Sequence, residues 1–259
     1  MKPVNVAYAS QSGLQAALMA KAGFVGSDDV LDGDLGFLNA LTEKYNPAVI
    51  TQAPDTQLPM IHAIYVKPYA ACRHCHAPIE AALRIGSESG LSDESIDSIE
   101  VSTYLWAIRG HDHTEVTGMS SAKMSIPYSV AAALKYRSGD VDVFDGDYLA
   151  DDDVHQLSRK VRVTEDPEMT RKAPVERGAR VSIKVKGRIE ELSHFVSLPK
   201  GEPENPVSDE ELFQKMRSLC RFAGTDEAHT EAIAGLVRSG QLNSDSINTV
   251  LYHSNSNNC

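Results

Sequence analysis

The apolar and polar positions of this chain change rhythm twice. Residues 8–22 are rich in Ala, Leu and Gln, lack proline and run into Gly23, a residue suited to a left-handed helix stop, so a helix is expected there. Residues 34–45 read as a second, shorter helix, with Pro47 beyond its end. From about Pro59 the period shortens. Ile61, Ala63 and Tyr65, with Ile64 and Val66 between them, form a β-branched apolar run that suits a buried strand. A helix follows over 77–89. Alternating Ile99, Val101 and Thr103 then predict a strand within 98–108, and residues 127–136 a helix carrying Val130, Ala131 and Leu134 on one face.

Further along, residues 161–163 are strand-like, and 179–185 and 188–196 read as two strands joined by a tight turn at Lys186-Gly187. The acidic run Asp151-Asp152-Asp153 suits a helix N-terminus, where carboxylates meet a positive dipole. Residues 200–206 have linker composition. Ser208, three residues ahead of Glu211, has capping-box spacing and opens helices expected over 208–223, 226–239 and 244–252. Helical ends thus flank an α+β middle, and residues 254–259 read as a disordered tail.

Charge narrows the function. Twenty-five Lys and Arg against 36 Asp and Glu give a net charge of -11, which argues against nucleic acid or an anionic membrane as partner. A small anionic substrate stays open, because a pocket can gather cations locally. No apolar run approaches the roughly 18–20 residues of a membrane span, and the first residues have no apolar signal core, so a cytoplasmic protein is expected. Cys72, Cys75, Cys220 and Cys259 are too few for a disulfide framework and fit a reducing compartment.

The densest chemistry is Lys67-Pro68-Tyr69-Ala70-Ala71-Cys72-Arg73-His74-Cys75-His76, with cations, imidazoles and thiols ahead of a helix. Cys72 to His76 formally matches the haem-attachment pattern, without an export signal to support it. Zinc would need more ligands, which His111-Asp112-His113 could supply. Cys75 reads equally as a buried apolar filler, and His74 and His76 as hydrogen-bonding residues at a helix start. A second constellation, Ser120 to Tyr128, carries Lys123 and Tyr128 into an Ala-rich helix. His62, His155, His194, His229 and His253 stand singly and read as structural or solvent-facing. No phosphate-binding glycine loop, Gly-x-Ser-x-Gly elbow or His-Glu-x-x-His helix occurs, which argues against nucleotide use, serine hydrolysis and zinc proteolysis.

Taken together, KPYAACRHCHAPIEAAL at 67–83, SSAKMSIPYSVAAAL at 120–134 and MKPVNVAYASQSGLQAAL at 1–18 resemble the MmgE/PrpD family, although Asn5 stands where many members have His. The family includes 2-methylcitrate dehydratases, cis-aconitate decarboxylases and iminodisuccinate epimerases. The resemblance implies an all-helical domain formed from both chain ends, residues 1–58 and 204–253, with an α+β lid inserted at 59–203. It implies metal-free, cofactor-free proton transfer beside a carboxylate of a small di- or tricarboxylate, as in 2-methylcitrate dehydratase, with decarboxylation or epimerisation as alternatives. By the same resemblance Lys2, Lys67, Arg73 and Lys123 bind substrate carboxylates, and His74, His76 and Tyr128 carry protons. Family members are usually much longer. Their additional N-terminal portion supplies Asp and His site residues in a His-Pro-Gly-like stretch, and no His-Pro pair occurs here. Three expectations follow: an enzyme acting as a homodimer, one completed by a separate helical chain, or a truncated, non-catalytic remnant.

Overall fold

The computed structural model describes residues 2–48, 63–240 and 243–245, with side chains from Val4 onward. Two compact units divide the chain, residues 1–59 and 60–259. In the first, α1 (Lys2–Lys21) starts six residues earlier than the composition suggested and stops as foreseen at Gly23, whose φ is +93°. The second helix is shorter than expected: only α2 (Phe37–Leu41) forms. Turns close the preceding stretch instead, through Gly33 N–H to Asp29 and Gly36 N–H to Gly33.

The second unit is built around a sheet of order β2-β1-β3-β4. Its members are β1 (Ile96–Thr103), β2 (Val161–Glu165), β3 (Ala179–Val185) and β4 (Leu192–Val196). β1 pairs parallel with β2 and antiparallel with β3, and β3 pairs antiparallel with β4. The hairpin turns at Lys186-Gly187, where Gly187 has φ +76°, although β4 begins only at Leu192. β1 is shorter than its alternation suggested. It ends at Thr103, and a single helical turn, Leu105–Ile108, follows, with the Leu105 N–H donating to Thr170 Oγ1 at 2.9 Å.

Two helices, α3 (His76–Ser89) and α4 (Ile126–Tyr136), cover the buried face of this sheet, and α5 (Asp152–Ser158) lies against α4. α3 packs on α4, β3 and β4, and α4 packs on α5 and β2. Ile99, Val101, Val181 and Ile183 meet Ile79, Val130, Leu134 and Phe144 in one core. Small residues make the close packing of α3 and α4 possible: Ala81, Ala82, Ala131, Ala132 and Ala133 are fully buried. The acidic cap is in place, with Asp151 accepting from the Asp153 N–H at 2.9 Å. Beyond the sheet come α6 (Pro167–Lys172), α7 (Asp209–Phe222) and α8 (Glu227–Ser239). Both halves of the Ser208–Glu211 capping box form. The last expected helix lies mostly outside the described residues, as does the 254–259 tail.

Two expectations fail for physical reasons. The described part of the apolar run at 61–66 is not a strand: Ile64 is 56% exposed and Tyr65 and Val66 are also open to solvent. Its backbone bonds instead to residues 199–205. The composition-derived linker there is a tight turn, in which the Val66 N–H donates to Gly201 O at 2.8 Å and the Gly201 N–H to Asn205 O at 2.8 Å. Gly201 has φ +95°, and a Cβ added there would sit 1.8 Å from Val66 O. Gly201→Ala should therefore lower stability by about 2–3 kcal/mol in urea titration, from left-handed strain plus the lost backbone contact. A cost near zero would show that this turn is not formed in solution.

Candidate active site

The loop of residues 66–75 is fixed at three points before any side chain acts. Besides the Val66 bond, the Ala70 N–H donates to Gly139 O at 2.9 Å and the Cys72 N–H to Lys123 O at 2.8 Å. A single 3-10 turn, Arg73–Cys75, then leads into α3. This anchoring turns Arg73, Cys75 and His76 inward and leaves Lys67 exposed and His74 half-buried.

Arg73 is 7% exposed and pairs with Glu202 from the tight turn, so the cation expected to bind a substrate carboxylate already has a carboxylate partner. Only Nη2 is engaged there. Nε and Nη1 are buried and have no hydrogen-bond partner among the described residues. Such donors are costly to strand, and they suit a bound anion. Tyr65 lies against the guanidinium at 5.1 Å, and Arg177 approaches the same ring at 5.8 Å. Burial lowers the Arg73 pKa from its usual value, with Arg177 contributing in the same direction.

His76 is completely buried, with its ring 5.3 Å from that of Tyr69. Neither ring nitrogen has a well-aligned hydrogen bond among the described residues, although the Ala71 carbonyl lies near enough to favour a proton. Burial comes first, and the charges of Arg73, Lys67 and Lys215 add to it, so the pKa falls to about 3. The imidazole is neutral across the physiological range. Lys67 donates to Ala71 O at 3.3 Å, and Lys215 of α7 donates to the Lys67 carbonyl. Burial, then Lys67, lowers the Lys215 pKa.

Arg73, Lys67 and Lys215 therefore stand as a cationic group around neutral His76, with Arg177 joining them on the Arg73 side, in a chain of net charge -11. Lys215 and Arg177 did not stand out in the sequence. The capping box sets the register of α7, but no local pattern marks which of its residues returns to residue 67.

Of the other expected site residues, His74 borders this group through Tyr104, and Lys123 and Tyr128 lie elsewhere. His74 Nδ1 is 2.7 Å from Tyr104 Oη, and its ring meets that of His111 at 4.8 Å. Lys123 reaches the loop through its carbonyl, whereas its ammonium senses Asp145 and has its pKa lowered by burial. The Lys2 side chain lies outside the described residues. Tyr128 is wholly buried between Phe144 and His155, and its hydroxyl donates to Val143 O at 2.8 Å. Burial and Asp151 raise its pKa. Of these partners, Tyr104 faces Arg73 and Arg177, whereas those of Lys123 and Tyr128 stand apart from the cationic group. Tyr128→Phe should cost about 1–2 kcal/mol, the value of a buried carbonyl left unsatisfied, while leaving carboxylate affinity unchanged. A large loss of affinity in the folded variant would instead place the phenol in the binding site.

Among the single histidines, His155 is structural, with Nε2 2.7 Å from Leu149 O. His62 and His253 lie outside the described residues. No helix among the described residues is long and apolar enough to cross a membrane.

Two guanidinium nitrogens, unpartnered among the described residues and beside Lys67 and Lys215, mark this loop of the α+β unit, and comparison with known proteins places the chain in a family. The MmgE/PrpD C-terminal domain matches residues 69–238, and the chain belongs to the MmgE/PrpD family. Among curated proteins, the cis-aconitate decarboxylase-like protein oryM of Aspergillus oryzae (strain ATCC 42149 / RIB 40) is 27% identical over 261 residues. That match covers 95% of this chain and 53% of the relative, so the chain spans about half the length of the curated protein it matches.

Proposed function

We propose that this chain provides the carboxylate-gripping part of a lyase-type active site acting on a small di- or tricarboxylate. The observation that carries the reading is buried Arg73, with Nε and Nη1 unpartnered among the described residues, beside a neutral imidazole and two lysines. Arg73 holds one carboxylate through its remaining donors, and Lys67 and Lys215 hold a second nearer the surface. Proton loss from the carbon beside a bound carboxylate builds enolate-like charge, which these cations stabilise. With its pKa near 3, His76 acts as a neutral hydrogen-bond donor rather than a cationic acid. Departure of water, as in a 2-methylcitrate dehydratase, or of CO2, as the relative's name suggests, begins from that same anion.

The match to about half of the relative supports a second element of this reading. The group that removes the proton comes from a helical segment outside residues 67–215. Incubation with cis-aconitate or 2-methylcitrate in D2O tests the proposal, because deuterium entry beside the carboxylate reports proton transfer whatever leaves afterwards. Saturable, salt-sensitive binding by calorimetry is expected for the chain alone, with exchange appearing when the helical portion is added. Absence of binding to folded protein would refute the carboxylate site. Binding without exchange in the completed assembly would refute the catalytic part.

A further inference from the structure

Outside the cationic group, the loop places a second set of donor atoms together. Cys72 Sγ, one ring nitrogen of His74 and one of His111 all lie within 4.8 Å of one another. Cys72 and His111 are buried and His74 is half-buried, so the set is shielded on most sides with an approach past His74.

The surrounding hydrogen bonds prepare the imidazoles. His111 Nδ1 is 2.9 Å from the Arg109 carbonyl, an acceptor only, so Nδ1 carries the proton and Nε2 presents a lone pair. The Tyr104 hydroxyl lies 2.7 Å from His74 Nδ1 and fixes the orientation of that ring. Metal-binding histidines are commonly oriented in this way by a partner on the far nitrogen. The cluster also joins two segments of the fold. Cys72 and His74 precede α3, whereas His111 follows the helical turn after β1 and receives the Ile126 N–H on its carbonyl at 2.7 Å.

The geometry points to a zinc-class metal site in which Cys72, His74 and His111 supply one sulfur and two nitrogens, with a fourth position left to an exogenous ligand. One thiolate with two imidazoles suits a borderline-soft cation such as Zn2+ and not the hard cations, which take oxygen. Binding converts the Cys72 thiol to a metal thiolate and releases its proton to solvent. The nearby positive charge of Arg73 is offset by Glu202, so it does not bar the cation. A contraction of about 1 Å between donor atoms reaches tetrahedral bonding distances.

The test uses the full chain, stripped with a chelator and kept reduced, and titrated with Co2+ as a spectroscopic substitute for Zn2+. One equivalent should bind with a sulfur-to-cobalt charge-transfer band that excess Zn2+ displaces, and Zn2+ should raise the thermal midpoint. Cys72→Ser and His111→Gln should abolish the band, while Cys220→Ser and His113→Gln keep it. Tyr104→Phe should weaken affinity about 10–100-fold by freeing the His74 ring. If a ligand variant fails to fold, X-ray absorption at the zinc edge of the wild-type complex decides. One sulfur with two imidazole nitrogens supports the site. No stoichiometric binding, a metal shell without sulfur, or a band surviving Cys72→Ser overturns it.

Discussion

Replacing Arg73 by methionine should lower folding stability by about 3–5 kcal/mol and abolish carboxylate binding, because the substitution leaves Glu202 as a nearly buried, uncompensated charge. The two effects separate in a second variant. Arg73→Met combined with Glu202→Gln removes both charges, so stability should largely return while binding stays lost. Urea titration reads the first quantity and calorimetry with cis-aconitate the second. If the single variant is within about 1 kcal/mol of wild type, the pair is a loose surface contact rather than a buried one. If the double variant binds as wild type does, Arg73 serves the fold alone.

Acid should destabilise this protein through His76 before most carboxylates titrate. The folded pKa is depressed to about 3, while in the unfolded chain the ring returns to about 6.5, so between these values the unfolded state binds the extra proton. Stability from this group is complete above about pH 6.5 and is lost as pH falls towards 3, up to about 5 kcal/mol in all. His76→Gln should be less stable at neutral pH but show a flatter profile across that window. Denaturant titrations from pH 4 to pH 7 on both proteins make the comparison. Parallel profiles would mean that His76 is protonated in the fold and that water or an anion reaches it.

Much of the secondary structure was legible because it rests on local chemistry. Gly23 ends α1, Asp151 and Ser208 cap their helices, and Lys186-Gly187 turns the hairpin, each through bonds within a few residues. The errors came where a distant partner decided. The apolar run ending at Val66 carries a strand's composition, yet it meets a turn more than a hundred residues away that offers one carbonyl rather than a strand edge. The stretch 34–45 is the exception, lost for a local reason: it has helical composition, but turns at Gly33 and Gly36 take its first backbone bonds.

The site divides in the same way. The sequence by itself determined the family resemblance, the α+β middle and the concentration of chemistry at residues 67–76, since all of these depend on residue type and spacing. Tertiary structure alone decided what each group does. It paired Arg73 with Glu202, brought Lys215 and Arg177 into the cluster, enclosed His76 and bonded Tyr128 to a backbone carbonyl. It also set Cys72 and His74 beside His111. The physical reason is range: helix caps and turns act over a few residues, whereas desolvation and charge pairing depend on which remote segments the packed sheet brings within a few ångströms.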